Sequence, residues 1–158
     1  MKQRYTSAAT SINAAKMPKI YGIIKGTIDP EMTVIDYGCG RFFDNYGLPE
    51  NYFGYDPYNR PETELLRRHY NVALCSNVLN VVAEWEVRRE ILETLRELAD
   101  TVYITVYEGN KSGKGKQTKE DCYQLNRRLC DYIPEVVTVF GAGNVKYYKG
   151  MLIARKGA

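Results

Sequence analysis

Short apolar runs bounded by turn residues recur along the chain, and stretches of helical periodicity separate several of them. The runs predict strands at Thr33–Tyr37, Tyr52–Tyr55, Val72–Cys75, Thr101–Tyr107, Val136–Phe140 and Met151–Ala154. From Glu84 to Leu98 the apolar positions Val87, Ile91, Leu95 and Leu98 mark one helical face, with Glu84 and Arg88 as an i,i+4 pair outside it. A second helix is expected from Thr118. There Thr118 and Asp121 have the form of a capping box, and Cys122, Leu125, Leu129 and Ile133 recur on one face before Pro134 ends the pattern. A short early helix starts near Pro18 and turns Ile20, Ile23 and Ile24 inward, and the stretch "RYTSAATSIN" before it reads as polar loop.

Strands that alternate with helices pair in parallel through right-handed crossovers, so the pattern predicts an α/β fold with a doubly wound, mainly parallel sheet. The apolar runs are continuous rather than alternating, as strands covered on both faces require. One antiparallel strand is expected near the end. The chain of 158 residues suits one domain, residues 1 to 158, with residues 1 to 17 as a polar N-terminal arm. Residues 108 to 119, which include "GNKSGKGKQTK", read as a mobile basic loop.

Composition adds little and excludes some things. The net charge of +3 is too small to diagnose a nucleic-acid binder. The basic N-terminus is followed by small polar residues instead of the apolar core of a secretory signal, and no run could span a bilayer, so a cytoplasmic place without membrane attachment is expected. Cys39, Cys75, Cys122 and Cys130 form no CxxC pair and read as reduced thiols, with neither a disulfide framework nor a metal site.

The candidate chemistry lies in "VIDYGCGRFFDNYGLPENYFGYDPYN", residues 34 to 59. In doubly wound sheets, ligands sit beyond the carboxyl ends of the strands where strand order reverses, and the exit turn of the first strand forms part of that crevice. Gly38 and Gly40 remove two side chains there, and Asp56, at the end of the second strand, is placed to accept hydrogen bonds from a ribose diol. The bland alternative is a tight turn with no ligand. A dinucleotide fingerprint would need a third glycine at position 43, which is Phe, and Phe42 with Phe43 would crowd a diphosphate. A nucleoside joined to an amino acid, as in S-adenosylmethionine, is tolerated better, and a nicotinamide-dependent oxidoreductase is disfavoured.

The elements "DYGCGR", "GYDP" and "SNVLNVV" resemble those of the class I S-adenosylmethionine-dependent methyltransferases over roughly residues 33 to 107, and within that superfamily the putative methyltransferases associated with DNA phosphorothioation. The resemblance implies that Asp36, Gly38, Cys39 and Gly40 line the methionine end. It also implies that Asp56 takes the ribose hydroxyls, with Pro57 beside it, and that Ser76 and Asn77 close the pocket. The chain departs from that pattern between Pro57 and Tyr70, where a strand and a helix are usual, so an edge strand is expected to be missing together with the acid that normally meets the adenine amino group. Tyr55, Pro57 and Tyr58 are the candidates to stack on the base instead.

Methyl transfer needs chiefly that acceptor and methyl be held in line and dehydrated, so a general base is optional. Candidate catalytic residues at strand ends are Glu108 and Asn77, with Asn80 as a further possibility that is equally a helix cap. Glu108 has the alternative of tethering the basic loop, and His69, just before a strand, reads as a surface or packing residue. "DPYN" at 56 to 59 has a superficial likeness to the tetrad of amino-group DNA methyltransferases but follows the wrong strand. Lys111, Lys114, Lys116 and Lys119, with Arg127, Arg128, Tyr107 and Tyr123, could track the phosphate backbone of DNA or RNA as acceptor, or form a solvated lid. The rival to an enzyme is a non-catalytic S-adenosylmethionine-binding module in a DNA-modification or phage-related assembly.

Overall fold

A computed structural model describes residues 2 to 10 and 16 to 157. Part of the expected polar loop, residues 11 to 13, lies outside the described residues. A six-stranded sheet is built from β1 (Val34–Tyr37), β2 (Tyr52–Tyr55), β3 (Tyr70–Ser76), β4 (Ala99–Thr105), β7 (Val145–Tyr148) and β8 (Met151–Arg155), in the order β2-β1-β3-β4-β8-β7. Strands β1 to β4 are mutually parallel, and β8 runs antiparallel to both of its neighbours, so β8 is the single reversed strand in the sheet. The strand order turns back between β1 and β3, and the ends of these two strands flank the glycine turn.

Alternation along each strand divides the core in two, as continuous apolar runs require. Ile35, Ala73, Cys75, Val102, Ile104, Leu152 and Ala154 face one side, against α2 (Trp85–Leu98) and α3 (Ile133–Phe140). Val34, Val72, Leu74, Tyr103, Met151 and Ile153 face the other, against α1 (Lys19–Lys25). Helix α1 buries Ile20, Tyr21 and Ile24, with Ile23 only partly covered. Among the described residues β2 is the edge strand, so the edge strand expected to be missing is absent there.

Four sequence expectations fail. The run Val136–Phe140 is helix, not strand: its buried residues are Val136, Val139 and Phe140, a helical spacing, and Pro134 begins the helix instead of ending one. The helix expected from Thr118 is a β-hairpin of β5 (Gly115–Lys119) and β6 (Cys122–Leu125), turning at Asp121 with φ +56. The last five residues of the basic segment expected as loop, Gly115–Lys119, are thus strand. Arg88 is not on the solvent side of α2. It is buried, donates to the carbonyls of Val82 and Ala83 at 2.9 and 3.0 Å, and pairs with Glu135 at 2.6 Å, so its partner is not Glu84. On that helix Leu92 is fully buried and Ile91 only partly.

Candidate functional site

Tyr37 leads straight into the glycine turn. The amides of Gly38 and Cys39 both donate to the carbonyl of Tyr55, at 2.7 and 3.1 Å, which fastens the turn to the end of β2. Gly38 has φ +86 and Gly40 φ +73, a region that disfavours residues with a Cβ. A Cβ on Gly38 would also stand 2.4 Å from Cγ2 of Val78, so the segment after β3 packs directly on the turn. The Cys39 thiol is pushed up by burial, then by Asp36 and Asp56, which keeps it protonated.

Asp56 is buried and fully engaged at one oxygen. Its Oδ1 accepts the amides of Tyr58 and Asn59, both at 2.9 Å, and Nδ2 of Asn59 at 3.2 Å, whereas Oδ2 accepts only the Gly40 amide at 3.0 Å. Of the two acids suspected from sequence, Asp56 is therefore bonded directly to the turn, through the Gly40 amide. One lone pair of Oδ2 stays open, so Asp56 has room for one hydroxyl more readily than for a diol.

Asp36 is buried on the α1 side, where its Oδ2 accepts the Tyr21 hydroxyl and its Oδ1 has no hydrogen-bond partner. Its carboxyl is pushed up to about 7, chiefly by burial, with the Tyr21 hydrogen bond opposing and Asp56 adding a smaller rise. Nothing in the sequence pattern pointed to Tyr21, because the pairing depends on how α1 docks.

The other expected residues scatter in role. The Thr105 hydroxyl donates to Ser76 Oγ at 3.0 Å, and Asn77 is exposed with φ +58 while its amide donates to the Thr105 carbonyl at 2.9 Å. Pro57 and Tyr58 are exposed, but Tyr55 is buried with its ring 5.3 Å from that of Tyr37, so Tyr55 is a core residue and not a platform for a base. Glu108 accepts the Leu129 amide at 2.6 Å and lies 4.0 Å from Lys111 Nζ, which is the tethering role. Asn80 is buried and donates from Nδ2 to Gln124 Oε1 at 3.0 Å, so it holds the hairpin instead of capping a helix. His69 pairs with Asp100 at 2.8 Å at the amino end of β3, away from the turn.

Lys111, Lys114, Lys116 and Lys119 are all exposed, and Lys119 donates to the Ala9 carbonyl at 3.2 Å. Arg127 does not belong to this strip: it pairs with Glu135 at 3.0 Å and lies over the Tyr132 ring. Among the described residues no cluster of His, Cys, Asp and Glu could hold a metal, and no helix is long and apolar enough to cross a membrane.

The N-terminal arm crosses the same end of the sheet. Gln3 accepts the Tyr58 hydroxyl at 3.4 Å, the Arg4 amide donates to Glu84 at 2.9 Å, and the Tyr5 ring stacks on Tyr123 at 5.3 Å. The Thr6 amide donates to Asp121 Oδ1 at 2.9 Å, and the buried Ser7 hydroxyl donates to the Val81 carbonyl at 3.2 Å. The arm therefore bridges segments that follow β2, β3 and β4.

No protein-family model and no curated protein matches the chain. Solved structures do. The N-terminal domain of EvdMO1 with S-adenosylhomocysteine bound is 11% identical with a TM-score of 0.55, over 90% of this chain and 82% of that one. An S-adenosylmethionine-dependent methyltransferase from Mesorhizobium loti is 9% identical with a TM-score of 0.52, over 91% and 100%. Magnesium protoporphyrin IX methyltransferase from Synechocystis PCC 6803 with bound S-adenosylmethionine is 16% identical with a TM-score of 0.50, over 87% and 76%. The chain has the Rossmann-like fold of these methyltransferase structures.

Proposed function

We propose that the chain binds S-adenosylmethionine at the glycine turn and transfers its methyl group to a nucleic-acid acceptor. The observation that carries this reading is the pair of buried acids at the ends of β1 and β2, one with an orphaned oxygen and one with an open lone pair, joined by a glycine turn that leads into a single 3-10 turn, Phe43–Tyr46, and not into an α-helix that could receive a diphosphate. An orphaned buried carboxyl oxygen fits an ammonium donor, which the methionine part supplies. The fold relatives solved with this nucleoside or its demethylated product bound support the same ligand.

In this reading Asp36 and the turn from Gly38 to Gly40 hold the methionine part, Oδ2 of Asp56 takes a ribose hydroxyl, and Pro57 and Tyr58 form the wall beside the base. When bound, the cofactor supplies a methyl carbon already activated by its sulfonium. The protein's part is to line up the acceptor lone pair with that carbon and exclude water, the acceptor proton passing to solvent. Ser76 and Asn77 close the pocket beside Val78. Glu108 serves as a positioning group for the hairpin, because its carboxylate is held by the Leu129 amide and Lys111. The exposed lysines of the 108 to 119 segment form the surface along which a phosphate backbone runs, since four exposed cations fall within that one short segment.

Calorimetric titration with S-adenosylmethionine and S-adenosylhomocysteine, with NAD as control, tests the pocket. Micromolar binding of the first two and none of NAD is expected, and transfer of labelled methyl to DNA or RNA then tests the acceptor. Binding without transfer to any acceptor would favour the non-catalytic module, and no binding would remove the cofactor reading.

A further inference from the structure

Asp36 is a carboxyl with one partner. Tyr21, from α1, donates its hydroxyl to Oδ2, and Oδ1 is buried without any partner. The titratable groups that face it are Tyr21 on α1, Cys39 in the turn, Tyr46 beyond it, Cys75 on β3 and Asp56 after β2. All are neutral or acidic, and among the described residues no cation pairs with Asp36. A buried carboxylate with an orphaned oxygen beside a second acid costs far more than the neutral acid, so with no cation beside it the proton stays on Asp36.

Tyr21 is held in turn. Its ring lies 5.9 Å from that of Tyr46 and 6.3 Å from that of Tyr52, and burial above all keeps its own hydroxyl protonated. It is therefore a fixed donor that can face only one oxygen of the carboxyl.

We propose that Tyr21 is a positioning residue for the cofactor: by occupying Oδ2 it presents Oδ1 to the ammonium of the amino-acid part, and binding expels the Asp36 proton. The balance is simple. The O–H bond of the acid breaks, the proton passes to water and buffer, and an ammonium-to-carboxylate ion pair takes its place with no redox change. This inference rests on the cofactor reading above, and adds to it the donor that orients the acid and the proton that leaves.

The test is calorimetry from pH 6 to 8.5 in buffers of different ionisation heat, with S-adenosylhomocysteine and with methylthioadenosine, which has the nucleoside and no amino acid. S-adenosylhomocysteine is expected to release close to one proton at pH 6 and almost none above pH 8, with the midpoint near the Asp36 value of about 7. Methylthioadenosine is expected to release none. Because the Tyr21 hydrogen bond lowers the carboxyl, Tyr21→Phe moves the midpoint upward and weakens S-adenosylhomocysteine at pH 7 by about tenfold. Tyr52→Phe, which makes a similar change in the same aromatic cluster, leaves the midpoint in place. Asp36→Asn abolishes the release and serves as a second variant if Tyr21→Phe folds poorly. Equal, pH-independent proton counts for the two ligands, or an unmoved midpoint in Tyr21→Phe, overturns the proposal while leaving cofactor binding intact. Failure of both ligands to bind removes the cofactor reading, and this proposal with it.

Discussion

Asp56 serves the turn through both of its oxygens, and in the cofactor reading proposed above only Oδ2 has room for a ligand. Oδ1 gathers three donors from Tyr58 and Asn59, which fold residues 56 to 60 back into a bridge with Arg60, whereas Oδ2 touches only Gly40. Removing the whole carboxyl would confound the two duties, so the informative change is Asp56→Asn, which keeps an acceptor for Tyr58 and Asn59, removes the charge and replaces the Oδ2 acceptor with an NH2 donor. It is expected to weaken S-adenosylhomocysteine by about tenfold, the size of one charge-assisted hydrogen bond, and to lower the thermal midpoint by only about 2–4 °C through the lost Gly40 bond. Calorimetry and a melting curve on the same sample check both halves. Asp36, Gly38, Gly40 and Asp56 were legible in the sequence because a strand, two glycines and a second strand's terminal acid are local signals. Tyr21 was not legible, since its pairing depends on how α1 lies across β1. The internal saturation of Asp56 was also hidden, because it depends on backbone amides that any residue type provides.

At the scale of elements, the failures share one cause. Thr118, Asp121, Cys122 and Leu125 fit a helical spacing, but Asp121 adopts φ +56 and Tyr123 stacks on Tyr5 of the arm, so tertiary contacts select a hairpin. In α3, Val136, Val137 and Val139 read as strand by type, yet Thr138 donates to the Pro134 carbonyl at 2.8 Å and the buried positions follow a helical face. Where local type and tertiary burial agree, as in β2 and α2, the boundaries are right to within a residue. The arm and the hairpin hold each other chiefly at Asp121, which takes the Thr6 amide and hydroxyl while its carbonyl takes the Ser7 amide. These bonds hold the Asp121 carboxyl below the usual range. Asp121→Ala is expected to speed hydrogen exchange of residues 4 to 8 by about tenfold while amides of β1 and β3 exchange as before. Exchange followed by mass spectrometry reads this directly, and unchanged rates in the arm would show that Ser7 and Tyr5 hold it without the carboxylate.

For the whole molecule the missing edge strand poses a problem that the fold has to solve, because an open parallel edge invites pairing with another chain. The solution is made from side chains. The Phe43 ring lies over Gly54, where any Cβ would stand 2.6 Å from it, and Arg60 stacks over that ring at 5.3 Å. From there Arg60 donates through Nε to the Gly54 carbonyl at 3.0 Å and pairs with Asp44 at 2.6 Å and Glu62 at 3.4 Å. The absence of the strand is legible from the short spacing between Pro57 and Tyr70, but the replacement is not, because in the sequence Phe43 stands beside the glycine turn and nothing local ties it to Gly54 or Arg60. Arg60→Ala is expected to leave the Gly54 carbonyl on the edge of β2 unpaired and the Phe43 ring uncovered. The cost to stability is about 1 kcal/mol, since the ion pairs are partly exposed and the carbonyl can turn to water. The larger effect is on association: sedimentation should show dimers or larger species growing with concentration in Arg60→Ala, at concentrations where the parent chain does not change. Arg60→Lys, which keeps the charge but loses the planar stacking and the Nε donor, should fall between the two. Sedimentation of Arg60→Ala identical to the parent would mean that Phe43 alone closes the edge.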